Sequence, residues 1–174
     1  MSGWIPFIGY TILILVVVVL NWSRFHKFWQ RITIIGASAY LIILCRLCLT
    51  PIVFNFMTAN RNLRYFHGVP YNLIAFQQID MEWFLNIVMT IPFGILLYLC
   101  WPKLHPLTAL IIGCIFSCFI EGNQFVCDFL FNIGRVADID DVITNTVGAL
   151  LGFIIIEWLD HTFLHKIIKP FTLN

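Results

Sequence analysis

Five stretches of this 174-residue chain are long and apolar enough to cross a lipid bilayer as helices. A crossing helix needs about 20 apolar residues. The stretches run from about Trp4 to Trp22, Ile32 to Phe54, Trp83 to Trp101, Pro106 to Cys127 and Ile139 to Leu159. Only 11% of the residues are charged, whereas soluble domains average about 25%. The sequence therefore predicts an all-α polytopic membrane protein with about five transmembrane helices.

The first apolar stretch has to be distinguished from a cleaved secretion signal. Such a signal begins with positive charge and ends at a small-x-small cleavage site. This chain lacks a positively charged start, and the stretch ends with Leu20-Asn21-Trp22-Ser23. We therefore expect the first stretch to be kept as a membrane helix.

Basic residues cluster in the connections on one side of the predicted bundle. With five spans, the connections after the first and third helices share a side with the C-terminal tail. The lysines and arginines there are Arg24, Lys27, Arg31, Lys103, Lys166 and Lys169. Because short cytoplasmic loops are enriched in Lys and Arg, we expect this side to be cytoplasmic and the amino terminus to lie outside.

Polar residues at helical spacing interrupt the apolar sequence around the connection between the fourth and fifth stretches. They are Glu121, Gln124, Arg135, Asp138, Asp141 and Asn145, followed by Gly148 and Gly152. Side chains at i, i+3 and i+7 lie on one face of a helix. Since the two helices are antiparallel neighbours, we expect their polar faces to meet as a groove near the external side. The glycines below it form a small-x-x-x-small pattern, which allows close helix packing.

Two more polar residues lie inside other apolar stretches, Asn86 in the third and Arg46 in the second. We add both to the candidate groove. Because an ionised side chain within a membrane needs a partner, we hypothesise that Arg46 pairs with Glu121 or Asp141.

The carboxylates of the polar segment allow three interpretations. Aspartates at the start of the fifth helix complement its dipole and cap its amides. The same oxygens could bind a ligand or a divalent cation, or act as acid and base if burial separates their pKa values. Residues 121–145 contain no histidine or serine, so no nucleophile-and-base pair is indicated. We assign no cofactor and no resident metal.

The connection between the second and third helices, about residues 55–82, is long and rich in aromatic residues. A disordered segment would have few aromatic residues. We therefore expect this connection to lie on the membrane surface or to tuck between helices.

Several motifs follow one another in a fixed order over about residues 40–160. They are Asn72-Leu73-Ile74-Ala75-Phe76, Asn86 with Pro92-Phe93-Gly94, Glu121 with Gln124, Gly134-Arg135, Asp138 with Asp141, and Asn145 with Gly148 and Gly152. In this order they closely resemble the VanZ-like family, although Ala75 replaces a usual proline. The resemblance divides the chain in two. Residues 1–30 are an additional N-terminal transmembrane helix with a basic cytoplasmic loop, and residues 31–174 are a VanZ-like four-helix membrane domain.

The resemblance implies a bacterial plasma-membrane protein that lowers susceptibility to teicoplanin-like lipoglycopeptide antibiotics at the outer membrane surface or through cell-wall precursors. Its partners would be membrane lipids and a lipid-linked cell-wall precursor or a lipoglycopeptide. A net charge of +1 without a basic run argues against nucleic acid, and the oligomeric state stays open.

Two other functional classes compete with this interpretation. One is a membrane enzyme that modifies a lipid-linked substrate with Glu121, Asp138 and Asp141. The other is a transporter, which ranks last because the cytoplasmic half carries almost no polar stripe.

Overall fold

The computed structural model describes residues 2–51, 62–77 and 79–173. Within them, five helices are long and apolar enough to cross a membrane. They are α1 (Ile5–Asn21), α2 (Phe28–Leu49), α3 (Met81–Cys100), α4 (Pro106–Phe131) and α5 (Ile139–Asp160), and a short α6 (His165–Ile168) follows. The predicted all-α architecture with five candidate spans is confirmed.

Two helix ends differ from the sequence-based bounds. Helix α2 ends at Leu49 rather than near Phe54, because the residue before Pro51 is pushed out of helical geometry and Thr50 is extended at ψ 151°. Helix α4 continues past Cys127 to Phe131, and Asn132 ends it in the left-handed region at φ 51°. Asparagine tolerates that conformation better than most residues.

Helices α3 and α5 approach each other through glycines. A Cβ atom added to Gly148 would lie 2.1 Å from the carbonyl oxygen of Ile87, and one added to Gly152 would lie 2.0 Å from that of Ile91. From the other side, a Cβ on Gly94 would lie 1.9 Å from the carbonyl oxygen of Ala149. The small-residue pattern on α5 therefore brings the α3 backbone into direct contact, as in tightly packed membrane helices.

The long connection before α3 contains a β-hairpin. Strand β1 (Arg64–Phe66) pairs antiparallel with β2 (Val69–Asn72), and β2 pairs parallel with β3 (Ala137–Asp138), which directly precedes α5. The sequence interpretation did not include this sheet. Residues 55–61 and 78 of the predicted surface segment lie outside the described residues.

The two ends of the helix bundle differ in character. The hairpin, the end of α2 and the α4–α5 connection share one end, which we call the hairpin end. At the opposite end the C-terminal segment packs back on the helices: the Thr33 hydroxyl donates to the carbonyl oxygen of Phe171 at 2.7 Å. There Tyr98 also donates to the Asp160 carboxylate at 2.6 Å. The predicted polar groove belongs to the hairpin end.

Candidate functional site

Asp138 immediately precedes α5 and caps its first turn. Its Oδ1 accepts the amide hydrogen of Asp140 at 2.9 Å, and the Asp138 backbone is extended, as expected of a residue at the N-cap. The side chain is 3% exposed. The capping role predicted for this aspartate is therefore present, but capping accounts for only part of its contacts.

Asn72 holds the hairpin against the same carboxylate. Its Nδ2 donates to Asp138 Oδ1 at 2.9 Å, while its Oδ1 accepts the amide hydrogen of Ile74 at 2.9 Å. The second bond closes a local Asx turn. Asn72 and Asp138 are also paired in register between β2 and β3. With 1% of its surface exposed, Asn72 fixes both the turn after the hairpin and its position over α5.

Asp140 anchors the next turn of that loop. Its Oδ1 accepts the amide hydrogen of Phe76 at 2.8 Å, and Phe76 has a positive φ of 60°. A bulky residue in that region is strained, so an amide bond to a buried carboxylate helps to hold it. Two carboxylates at the start of α5, those of Asp138 and Asp140, therefore organise the loop.

Glu121 links α4 to the same point. It is 6% exposed, and its Oε2 accepts the amide hydrogen of Asp138 at 3.0 Å. Glu121 therefore ties α4 to the residue that caps α5.

Asn86 and Asp141 meet across the α3–α5 contact. Asn86 Nδ2 donates to Asp141 Oδ1 at 2.6 Å, and the Ser117 hydroxyl donates to the carbonyl oxygen of Asp141 at 3.3 Å. Asn145 lies one turn further along α5, is 2% exposed, and its Oδ1 has no partner within the described part of the chain. The structure thus brings Asn86, Asp141 and Asn145 to one side of α5, above the glycine contact.

Asp128 and Gln124 continue the buried face of α4. Asp128 Oδ1 accepts the amide hydrogen of Gly134 at 2.6 Å, where the chain turns with a φ of 72°. Gln124 is 6% exposed and lies between Glu121 and Asp128 on that face. Asp128 therefore shapes the α4–α5 connection, and the sequence motif containing Gly134 reflects this backbone conformation.

Arg135 connects that turn to α2 by donating to the carbonyl oxygen of Leu47. Burial lowers the pKa of its guanidinium, and the nearby Cys48, Glu82, Asp141 and Glu121 oppose that shift. Its Nε is buried without a partner in the described ranges. Arg135 thus lies close enough to the buried carboxylates of Glu121 on α4 and Asp141 on α5 for their negative charge to stabilise its positive charge.

Arg46 is placed differently from expectation. It is exposed, and its guanidinium carbon lies 5.7 Å from the centre of the Trp4 ring in a cation–π contact. The hypothesised pairing with Glu121 or Asp141 is not formed between these described side chains. The pair does not form because the Arg46 side chain lies on the outer surface of the bundle. There the Trp4 ring stabilises its positive charge through the cation–π contact.

An open groove of about 460 Å³ lies at the hairpin end, between the hairpin, α4 and the start of α5. Most of its walls are apolar, and two carboxylates are among its lining residues. The lining residues are Phe66, Tyr71, Asn72, Leu73, Glu121, Phe125, Ala137, Asp138, Ile139 and Val142. Its volume falls in the range of about 300–1,000 Å³ that is typical of small-molecule sites. We call this cavity the hairpin groove.

The predicted site residues divide into those that line the groove and those that do not. Glu121 and Asp138 line it, whereas Gln124, Arg135, Asp141, Asn145, Asn86 and Arg46 are not among its lining residues. In the described part of the chain, no group of three His, Cys, Asp or Glu side chains is close enough to hold a metal ion. The groove is therefore an apolar cleft with an acidic edge, not a preformed cage of metal ligands.

Among the groove and anchoring residues that were not predicted as site residues are Asn72, Asp140 and Phe125. Asn72 and Phe76 belong to a motif noticed in the sequence, which marked the loop but not its contact with α5. Phe125 follows Gln124 on α4 and carried no signal, because one more phenylalanine among 17 in an apolar chain is not distinctive.

A comparison with protein families gives one match. The family model described as VanZ/LLP1 matches residues 7–160, which includes α1. No curated protein and no solved structure matches the chain.

Proposed function

The chain belongs to the VanZ/LLP1 family, and from that premise we propose that it lowers susceptibility to teicoplanin-like lipoglycopeptides. It is a multi-pass membrane protein of this family. In the proposal it lies in the bacterial plasma membrane and acts at the outer surface on a lipid-tailed antibiotic or a lipid-linked cell-wall precursor.

The hairpin groove is the observation that carries this proposal. A lipid-tailed molecule needs an apolar surface for its tail and polar groups for its head, and the groove offers both within one cleft. The hairpin beside it exposes Tyr65 and Phe66, which are residue types found at the boundary between membrane and water. The groove is therefore suited to a molecule that is anchored in the bilayer.

The proposed sidedness follows from charge. Arg24, Lys27 and Arg31 lie in and after the α1–α2 connection, and Lys103 lies between α3 and α4. These connections are at the end of the bundle opposite the hairpin. By the positive-inside rule, the hairpin end would face outward, where glycopeptides and exported cell-wall precursors are found.

Susceptibility of cells with and without the protein tests the proposal. Deletion should raise sensitivity to teicoplanin and leave sensitivity to vancomycin, which has no lipid tail, nearly unchanged. A chain with Glu121→Gln should behave like the deletion, whereas Glu157→Gln, near the opposite end of α5, should behave like wild type. Membrane levels of each variant are measured by immunoblot. Equal shifts for both antibiotics, or full protection by Glu121→Gln at a normal level, would contradict the proposal.

A membrane enzyme is the second candidate, because Glu121 and Asp138 line one apolar groove. Two carboxylates in different environments can divide the work of acid and base. In this case purified protein would convert a lipid-linked precursor, and a deletion strain would accumulate the unmodified form. If no turnover is found with or without divalent cations and the precursor pool is unchanged, the enzymatic alternative is rejected and the binding function is kept.

A further inference from the structure

The chain after α5 folds back across the end of the bundle opposite the hairpin, and we call residues 161–173 the C-terminal strap. The Thr33 hydroxyl on α2 donates to the carbonyl oxygen of Phe171 in the strap at 2.7 Å. The Leu173 amide donates to a carbonyl oxygen near the end of α3 at 2.9 Å. Ile168 is 8% exposed and belongs to a buried cluster with residues of α3, α4 and α5. The strap is therefore fixed to the helices and is not a free tail.

The outer face of the strap combines apolar and basic side chains. Phe163 is 86% exposed, the largest fraction among the exposed large hydrophobic residues of the described chain, and it lies outside the five candidate spans. Ile167, four residues further on, is 61% exposed. Lys166 and Lys169 are exposed on the same segment. Large apolar side chains next to lysines are typical of segments that lie at the boundary between membrane and water.

Positive charge predominates at this end of the bundle. Its basic residues are Arg24, Lys27, Arg31, Lys103, Lys166 and Lys169, and its acidic residues are Glu157 and Asp160. Six positive and two negative side chains leave a formal net charge of +4. Asp160 accepts from the Tyr98 hydroxyl at 2.6 Å and lies 3.0 Å from His165 Nδ1, and its side chain is only 13% exposed. The outer face of the strap is therefore suited to an anionic partner.

An anionic phospholipid offers what both kinds of side chain require. Its phosphate can pair with lysine ammonium groups, and its acyl chains can surround the exposed apolar side chains. A free phosphate would use the charge alone, and a zwitterionic phospholipid has no net charge to attract the lysines. The combination of exposed Phe163 and Ile167 with Lys166 and Lys169 thus favours a lipid over a soluble anion.

We propose that the C-terminal strap binds anionic phospholipid head groups through Lys166 and Lys169, with Phe163 and Ile167 in the acyl region beside them. This inference goes beyond the proposed function and does not depend on it. Because the strap is bonded to α2 and α3, a lipid that binds the folded strap also stabilises the helix bundle. Such binding differs from the general enrichment of basic residues in cytoplasmic loops, because it is located on one segment.

Thermal unfolding of the full chain in maltoside micelles, followed by tryptophan fluorescence, tests this inference. Dioleoylphosphatidylglycerol, dioleoylphosphatidylcholine and glycerol 1-phosphate are titrated in separate series. A ligand that binds only the folded chain raises Tm as its concentration increases. We expect phosphatidylglycerol to raise Tm and phosphatidylcholine to raise it much less. Glycerol 1-phosphate, which has the phosphate without acyl chains, should leave Tm unchanged. Equal shifts with the two lipids, or with phosphatidylglycerol and glycerol 1-phosphate, would overturn the inference.

Two pairs of substitutions that remove the same charge locate the binding surface. Lys166→Gln combined with Lys169→Gln should raise the phosphatidylglycerol concentration for a half-maximal Tm shift about 30-fold, as expected for two lysines at an anionic surface. Arg24→Gln combined with Lys103→Gln removes two charges from the connections at the same end and should change that concentration much less. Equal weakening by both pairs would show that the lipid responds to the charge of the whole end, and the inference would be wrong.

The apolar part of the strap is tested by one further substitution and its control. Phe163→Ser should weaken the effect of phosphatidylglycerol, whereas Phe84→Ser, the same change at the opposite end of the bundle, should not. All of the replaced side chains are exposed, so we expect each variant to keep the wild-type Tm without added lipid, and each lipid shift is measured from the variant's own baseline. A wild-type response of Phe163→Ser would contradict the proposed contact with the acyl region.

Discussion

Replacing Gly148 with alanine should separate α3 from α5 and disturb the polar residues above the contact. The added Cβ would lie 2.1 Å from the carbonyl oxygen of Ile87 and 2.3 Å from the hydroxyl of Thr90. Ordinary van der Waals contact begins near 3.4 Å, so the α3 backbone would have to retreat by 1.3 Å. Ile87 is the neighbour of Asn86, whose 2.6 Å bond to Asp141 would lengthen to as much as 3.9 Å.

The magnitude follows from two contributions. Overpacking of a close contact costs about 1–3 kcal/mol, and loss of a hydrogen bond to a charged group costs about 1.5–3 kcal/mol. Together they predict that Gly148→Ala lowers the free energy of unfolding by about 2.5–6 kcal/mol. For a chain of this length, 1 kcal/mol corresponds to about 2–4 °C in Tm, so Tm should fall by at least about 5 °C.

Thermal unfolding in detergent micelles, followed by tryptophan fluorescence, measures this effect. Gly36→Ala on α2 is the control, because its added Cβ meets nothing within 4 Å in the described part of the chain. Alanine favours the helix over glycine by about 0.5–1 kcal/mol, so this variant should match or exceed wild type. If both variants have the wild-type Tm, the inferred backbone contact between α3 and α5 is wrong.

Three smaller perturbations test the connections around the site. Asp140→Ala removes the acceptor for the Phe76 amide, so hydrogen exchange in residues 62–77 should accelerate by about tenfold or more; unchanged exchange would mean that this bond does not hold the loop. Gly134→Ala forces a Cβ into the left-handed region at φ 72° and should lower stability by about 1–2 kcal/mol, as measured by denaturant titration; no loss would contradict that backbone assignment. Tyr10→Phe removes the bond from its hydroxyl to Asn123 between α1 and α4, so limited proteolysis of the α1–α2 connection should become faster, and an unchanged rate would show that the bond does not fix α1.

The fold could largely be predicted from the sequence because the membrane restricts the choices. Long apolar runs flanked by tryptophan leave little alternative to helices in a bilayer, and the five predicted spans match α1 to α5 within a few residues, apart from the ends of α2 and α4. The hairpin was missed because β1 and β2 have only three and four residues. The pairing of β2 with β3 joins parts of the chain that are far apart in sequence, and local patterns do not encode such pairings.

The candidate site could be predicted only in part. The spacing correctly predicted that Glu121 and Asp138 lie close together. Helical periodicity sets the face of α4 on which Glu121 lies, and the short α4–α5 connection brings Asp138 next to that face. Arg46 was wrongly paired, because matching depth along two helices says nothing about the direction in which a side chain points. Asn72 and Phe125 could not be identified as groove residues, since their roles depend on how the hairpin folds over α4 and α5.

The central claim is an outward-facing groove at the hairpin end, and thiol labelling of intact cells measures its sidedness directly. Tyr65 is 66% exposed on β1, and Lys103 is exposed in the connection between α3 and α4. Each is replaced by cysteine in turn, and the parent chain with its six native cysteines gives the background. A membrane-impermeant maleimide should label Tyr65→Cys in intact cells and label Lys103→Cys only after permeabilisation. The reverse pattern would place the groove in the cytoplasm and contradict the account.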